Sequence, residues 1–160
     1  MRGTQVPQTA TTDSLTASEI ELIRDSFDRV SVGLRFSRNF YAHLFEIAPA
    51  LRPLFPDDLS AQVRKLMDML AALVGKLDRP HELVLTLEAL GAQHRDYGIA
   101  AADFAPVGRA LFETLEAELG PAFDDATRSA WIALYALASS WMQQSIPNER
   151  RADARIVGNP

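Results

Sequence analysis

A single histidine on an apolar helix face is the strongest candidate for chemistry in this sequence. His94 continues an apolar stripe at the helical spacings of three and four, formed by Leu83, Leu87 and Leu90. An imidazole that points into a core must be hydrogen-bonded or metal-bound, because burying it unpaired costs on the order of a few kcal/mol. Two interpretations therefore stay open for His94: a core histidine bonded to a backbone carbonyl, and a metal ligand.

Two further polar side chains stand on stripes that predict a core. Tyr41 lies three residues before Leu44, and its ring suits a core while its hydroxyl needs a hydrogen-bond partner. Gln62 lies between Leu59 and Leu66 on another stripe, where a buried amide needs an acceptor for its NH₂ group. Each of them could instead reach water at the surface of the protein.

The other polar candidates carry weaker signals. Arg64 and Lys65 flank the face of Gln62 and are typical of solvated charges on an amphipathic helix. The remaining histidines, His43 and His81, do not pair with each other or with His94 at helical spacings, so a zinc or di-iron site built from protein ligands alone is not expected. If a metal binds, one histidine must suffice, which points to the macrocycle of a haem for the other ligands.

The elements that position these residues are predicted to be helices. Apolar residues recur at spacings of three and four through the central stretch, and no segment alternates with period two over a strand's length. The pattern predicts an all-α domain of six main helices and a short one, whose first helix begins at a capping box of Thr16 and Glu19. We expect a flexible leader over 1–14, the domain over 15–145 and a flexible tail over 146–160.

Composition excludes several classes of function. The 160 residues carry 16 basic and 21 acidic side chains, a net charge of −5, which argues against binding to nucleic acid or to an anionic membrane. No apolar run approaches about 18 residues, so membrane insertion is not expected. The absence of cysteine excludes disulfides and thiolate chemistry and suits a cytoplasmic protein. Neither a phosphate-binding glycine loop nor a nucleophilic serine motif is visible.

From about Leu15 to Met142 the sequence resembles the globin family. It is most similar to bacterial single-domain globins of the Hell's Gate globin type, to neuroglobins and to the haem domain of flavohaemoglobins. The short link from Phe55 to Gln62 implies a globin fold with no D helix or a minimal one. In chain order, the segments that carry the resemblance are Phe40–Phe45, Pro53–Phe55, Gln62–Met67, Leu90–Gly98, Gly120–Phe123 and Ala130–Tyr135.

The resemblance implies a haem b and a role for each site residue. His94 would be the ligand to the iron, and Tyr41 and Gln62 would donate hydrogen bonds to O₂ on the distal side. Because an amide binds iron poorly, the ferrous haem is expected to be five-coordinate. Lys65 would pair with a haem propionate. The other residues implied to contact the haem are Phe55, Leu66, Leu90, Tyr97, Ile99, Phe104, Val107 and Tyr135.

The function implied by the resemblance is reversible binding of O₂, CO and NO. The alternative is a nitric oxide dioxygenase that uses an external reductase, because Tyr with Gln resembles the distal pair of flavohaemoglobins. The chain departs from that pattern on the proximal side, where Phe104 and Ile146 stand in place of a tyrosine and a glutamate, so peroxidase-like chemistry is not expected. A third class, a haem-free or sensing globin, is countered by His94.

Overall fold

The structure, a computed structural model, describes residues 15–144, and helices are the only regular secondary structure in this range. It confirms the predicted all-α fold of six main helices with a short one, Pro49–Leu54, which is a 3₁₀ helix. Two further 3₁₀ turns, Ala101–Asp103 and Gly120–Ala122, were not predicted. The predicted leader and tail lie outside the described residues. The main helices are α1 (Ala17–Val30), α2 (Arg35–Ile47), α3 (Ser60–Gly75), α4 (Pro80–Asp96), α5 (Phe104–Leu119) and α6 (Asp125–Gln144).

Side-chain caps and a glycine set several helix ends. At the start of α1, the Thr16 hydroxyl accepts a hydrogen bond from the Glu19 amide at 3.2 Å, and the Glu19 carboxylate accepts one from the Thr16 amide at 2.9 Å. This is the predicted capping box, which satisfies two amides that have no partner inside the helix. Helix α5 ends at Gly120, whose φ of 54° is readily adopted only by glycine.

The core draws buried apolar side chains from all six main helices. Burying each of them stabilises the fold by roughly 1.5–3 kcal/mol relative to leaving it exposed. None of the described helices combines the length and the apolar character that crossing a membrane would require. The largest side chains that are fully buried and apolar are Ile23, Phe36, Leu44, Leu87, Leu115 and Trp131.

The packing of the helices leaves a space between two that follow each other in the chain. Helix α2 packs against α5 and α3, whereas α4 and α1 pack against α6. Helices α3 and α4 thus pack against different helices, although only a short turn joins them. Residues of both helices line the main cavity of the protein.

Candidate functional site

The cavity has a volume of about 510 Å³, which lies in the usual range for sites that bind small molecules and cofactors. Helices α2 to α6 all contribute to its wall, and most of the lining side chains are apolar. Four polar lining residues are exposed and therefore mark the mouth: Lys65, Asp68, Gln93 and Tyr97. An apolar interior with a polar mouth suits a flat ligand that carries its polar groups at one edge.

The structure brings almost all of the predicted site residues to this cavity. The exception is Gln62, which is not part of the wall and contacts Tyr41 instead. The roles of these residues stay predictions, but their proximity is a feature of the fold. The predicted residues that line the cavity are Tyr41, Phe55, Lys65, Leu66, Leu90, His94, Tyr97, Ile99, Phe104, Val107 and Tyr135.

His94 lies near the end of α4 and bonds to its own helix. Its Nδ1 lies 2.6 Å from the carbonyl oxygen of Leu90, one turn earlier. A carbonyl can only accept, so Nδ1 carries a proton and donates it, which leaves the lone pair of the neutral imidazole on Nε2. Within residues 15–144, Nε2 makes no hydrogen bond. His94 therefore presents one free nitrogen at the wall of the cavity.

Tyr41 and Gln62 form a hydrogen-bonded pair that joins α2 to α3. The Nε2 atom of Gln62 donates to the Tyr41 hydroxyl oxygen at 3.1 Å. Tyr41 is 4% exposed, and this burial raises its pKa, although the hydrogen bond from Gln62 lowers the pKa in part. The phenol therefore stays protonated at neutral pH. Its proton has no acceptor within residues 15–144 and is free to be donated into the cavity.

A hydrogen bond from Ser37 joins the same two helices, one helical turn away from the pair of Tyr41 and Gln62. The Ser37 hydroxyl is fully buried and donates to the carbonyl oxygen of Val63 at 2.7 Å. Ser37 precedes Tyr41 by four residues, and Val63 directly follows Gln62. This bond therefore fixes how far along α2 Tyr41 lies relative to Gln62 on α3. Sequence reasoning missed Ser37, although it carries the signal that found Tyr41, a polar residue on an apolar stripe.

An aromatic cluster holds Phe55 at the wall beside Tyr41. The ring centroid of Phe55 lies 5.6 Å from that of Tyr41 and 5.3 Å from that of Phe45, in edge-to-face arrangements. The guanidinium of Arg52 lies over the Phe45 ring and donates hydrogen bonds to the carbonyls of Phe55 and Pro56. The segment that follows the short 3₁₀ helix is thereby fixed in place.

The wall formed by α5 and α6 depends on a glycine. The Tyr135 hydroxyl donates to the carbonyl oxygen of Phe104, across the two helices. A Cβ atom added to Gly108 would lie 2.5 Å from Cε1 of the Tyr135 ring, so no larger residue fits without moving that ring. Burial raises the pKa of Tyr135 well above its ordinary value. The Phe104 ring in turn lies 6.4 Å from the imidazole of His94, between centroids.

Sequence reasoning also missed part of the wall. Ten of the lining residues that were not predicted are apolar and belong to predicted helices, so the apolar stripes of those helices could have identified them. Asp68, Gln93 and Asp103 carried no signal, because polar residues near a mouth look like any other surface residues. The other lining residues are Phe40, Leu44, Met69, Leu70, Leu73, Leu111, Trp131, Leu134, Ala138 and Met142.

The other two histidines lie away from the cavity. Nδ1 of His43 lies 3.7 Å from a carboxylate oxygen of Glu113, and His81 is exposed in the first turn of α4. In the described part of the chain, no three His, Asp or Glu side chains gather as they would around a metal ion. His94 is thus the one histidine between residues 15 and 144 that lines the cavity.

Comparisons with known proteins identify relatives of this chain. The globin family model matches residues 38–142. Neuroglobin of Danio rerio is 32% identical over an alignment covering 81% of this chain and 91% of the relative. Neuroglobin-1 of Oncorhynchus mykiss is 34% identical, with 82% of this chain and 92% of the relative covered.

Solved structures with low sequence identity share the fold. A hexacoordinated haem protein from an anhydrobiotic tardigrade aligns with a TM-score of 0.73 and 17% identity, covering 83% of this chain and 96% of its own. An engineered carbene transferase, derived from a putative nitric oxide dioxygenase of Rhodothermus marinus, aligns with a TM-score of 0.73 and 23% identity, covering 91% of this chain and all of its own. At such identities the likeness concerns the fold alone.

Proposed function

The chain belongs to the globin family, and from this premise we propose that it binds haem and, through the haem, diatomic gases, with oxygen as the principal ligand. One observation carries the proposal. His94 stands at the wall of a large apolar cavity with Nδ1 bound to a backbone carbonyl and Nε2 free. A neutral imidazole held in this way is the usual arrangement of a histidine that ligates a metal.

The residues of the cavity fit a haem. The chain has no cysteine, so a covalent attachment through thioethers is excluded and the group would be a haem b. The apolar wall suits the macrocycle, while Lys65 at the mouth is the one Lys or Arg within residues 15–144 that lines the cavity and would pair with a propionate. Phe55 and Phe104 would pack against the ring system.

A ferrous haem supplies an iron with an open coordination position at which O₂, CO and NO bind. The hydrogen bond from Nδ1 to Leu90 fixes the orientation of the imidazole, and Nε2 is the ring nitrogen left to bind the iron. Among the lining residues His94 is the only imidazole, so no second histidine competes for the iron. We therefore infer a five-coordinate ferrous state.

On the Tyr41 side of the cavity, we infer that Tyr41 would donate a hydrogen bond to a bound gas and that Gln62 would act through Tyr41. Because the Gln62 amide already donates to the phenol oxygen, the phenol proton is the one left for the ligand. A hydrogen bond to a group that takes on negative charge contributes roughly 1.5–3 kcal/mol. Oxygen draws more charge from iron than CO does, so Tyr41 should retain oxygen selectively.

The test of this proposal is titration of the purified chain with hemin, followed by reduction and addition of CO. We expect saturation at one hemin per chain, quenching of the fluorescence of Trp131, which lines the cavity, and a five-coordinate ferrous spectrum before CO is added. The His94→Ala variant should bind hemin at least about a hundredfold more weakly, because the axial bond is lost.

The matched control is His81→Ala, which removes an exposed imidazole from the same helix and should bind hemin like the unchanged chain. A colourless protein that takes up no hemin would overturn the proposal. Equal hemin affinity in the two histidine variants would remove His94 from the site. A six-coordinate, low-spin ferrous spectrum without added ligand would overturn the five-coordinate state alone.

The pairing of Tyr41 with Gln62 also favours a second function, a nitric oxide dioxygenase supplied with electrons by a separate reductase. A phenol that retains oxygen until NO arrives would serve this reaction as well as storage. The structural neighbour from Rhodothermus marinus derives from a putative enzyme of this kind. Sustained formation of nitrate from NO and oxygen with a cellular reductase would establish the enzyme. Loss of NO consumption after a single turnover, with every reductase supplied, would favour gas binding.

A further inference from the structure

A second cavity also has Tyr41 in its wall. It has a volume of about 390 Å³ and runs between α2 and the beginning of α3. Tyr41 is the one residue that lines both this cavity and the main one. We call it the Arg38–Arg64 groove. Its lining residues are Leu34, Arg38, Tyr41, Ala42, Phe45, Asp58, Leu59, Ser60, Val63 and Arg64.

Two arginines that line this groove have no side-chain partner within residues 15–144. Seven of the ten arginines between residues 15 and 144 make a side-chain hydrogen bond or an ion pair within that range. The three that do not are Arg29, Arg38 and Arg64, and two of these three line the same groove. In a chain whose net charge is −5, this is a local concentration of uncompensated positive charge.

The one carboxylate of the groove is already engaged. Oδ1 of Asp58 accepts a hydrogen bond from the Ser60 amide at 2.9 Å and another from the Ser60 hydroxyl at 2.7 Å. These bonds lower the pKa of Asp58, which keeps it ionised, and they direct it toward the first turn of α3. Asp58 forms no ion pair with either arginine.

The floor of the groove is apolar. Leu34, Phe45, Leu59 and Val63 supply it, and each of them is buried or half-buried. A bare inorganic anion would leave this floor in contact with water, whereas an apolar chain would cover it. Guanidinium groups hold a planar carboxylate through paired N–H donors. The positive charge at the rim and the apolar floor beneath it therefore match a ligand that has both a carboxylate and an apolar chain.

We propose that the Arg38–Arg64 groove is a binding site for a small amphipathic carboxylate, whose carboxylate lies between the two guanidinium groups and whose apolar chain lies on the floor. The groove is a different cavity from the proposed haem site, and within residues 15–144 the two share only Tyr41. Binding of the carboxylate does not depend on His94, so failure of either proposal leaves the other intact.

The test is calorimetric titration of the full chain with hexanoate, with hexan-1-ol and inorganic phosphate as comparison probes. We expect saturable binding of hexanoate at one site, and binding at least tenfold weaker for the uncharged alcohol and for phosphate. The double variant Arg38→Gln, Arg64→Gln should bind hexanoate at least tenfold more weakly. Ala42→Trp, which places a large side chain at an exposed position of the groove, should abolish binding.

The matched control is Arg29→Gln, which removes the third unpartnered arginine, outside the groove, and should leave hexanoate binding unchanged. The proposal is overturned if no saturable binding of hexanoate occurs, if hexan-1-ol or phosphate binds as tightly, or if the double variant binds like the unchanged chain. The substitutions at Arg38, Arg64 and Arg29 replace exposed side chains, and circular dichroism checks that each variant is folded.

Discussion

Two polar groups at the wall of the main cavity, His94 and Tyr41, are held in different ways. His94 on α4 bonds to the carbonyl of Leu90 in its own helix. Its partner is therefore a backbone group, which is in place whenever the helix forms. Tyr41 on α2 is bonded by the side chain of Gln62 on α3, so its partner comes from another helix. No substitution can delete the first acceptor, whereas a single substitution deletes the second partner.

Under the proposed function, this contrast separates the roles of the two sides of the site. The α4 side needs a fixed imidazole, and a backbone acceptor one turn away provides it whatever residue stands at position 90. The α2–α3 side needs a proton aimed at a ligand, and its direction depends on how α2 meets α3, which the buried bond from Ser37 to Val63 sets. We therefore expect changes on the α4 side to affect retention of the haem and changes on the other side to affect retention of the gas.

The largest effect on the α2–α3 side is expected from Tyr41→Phe. This variant keeps the ring and removes the one phenol proton that is free for the ligand, so about 1.5–3 kcal/mol of stabilisation of bound oxygen is lost. Stopped-flow measurement should show oxygen dissociation about tenfold faster or more, with hemin affinity unchanged. Tyr97→Phe, at a lining residue that is 58% exposed, is the control and should dissociate oxygen at the original rate. Equal oxygen dissociation rates in Tyr41→Phe and Tyr97→Phe would rule out a role of Tyr41 in retaining oxygen.

On the His94 side, the stability of the wall should instead depend on the size of the side chain at position 108. In Gly108→Ala the added Cβ would meet the Tyr135 ring at 2.5 Å, and that ring is anchored by its hydrogen bond to Phe104. Overpacking of this kind costs about 1–3 kcal/mol, more than the roughly 1 kcal/mol that alanine contributes to a helix. Urea denaturation should show lower stability for Gly108→Ala. Gly75→Ala, where nothing lies within 4 Å of the added Cβ, should be neutral or more stable, and equal losses in the two variants would contradict the steric account.

Helical spacing explains how much of this site could be predicted from the sequence. Residues on apolar stripes face the interior wherever the helices pack, so His94, Leu90 and Tyr41 were expected there before any packing was known. Gln62 shows the limit of such reasoning, because its position on a stripe predicts burial but not its partner. That it donates to Tyr41 instead of lining the cavity depends on the distance between α2 and α3, which no local pattern contains.

Gly108 and the Arg38–Arg64 groove show the same limit in other forms. A glycine within a helical pattern looks like a weak position, and only the nearby Tyr135 ring explains why no side chain fits there. Arg38 and Arg64 read as ordinary solvated charges in their separate helices. They become a pair only when α2 and α3 come together, and their lack of other partners can be seen only after the remaining ion pairs are known.

The smallest expected effect distinguishes two accounts of Gln62. If the amide acts only through the phenol, Gln62→Leu removes a polarising neighbour and speeds oxygen dissociation by no more than about fourfold, since such cooperativity adds some 10–30% to a hydrogen bond. In the Tyr41→Phe background, which leaves the amide no hydroxyl to bond, Gln62→Leu should then change the rate little, so the two effects do not add. If the amide instead contacts the ligand directly, Gln62→Leu should speed dissociation by a further tenfold or so in either background. Stopped-flow rates for the unchanged chain, the two single variants and the double variant decide between these accounts, because only a relay makes the effect of Gln62 depend on the Tyr41 hydroxyl.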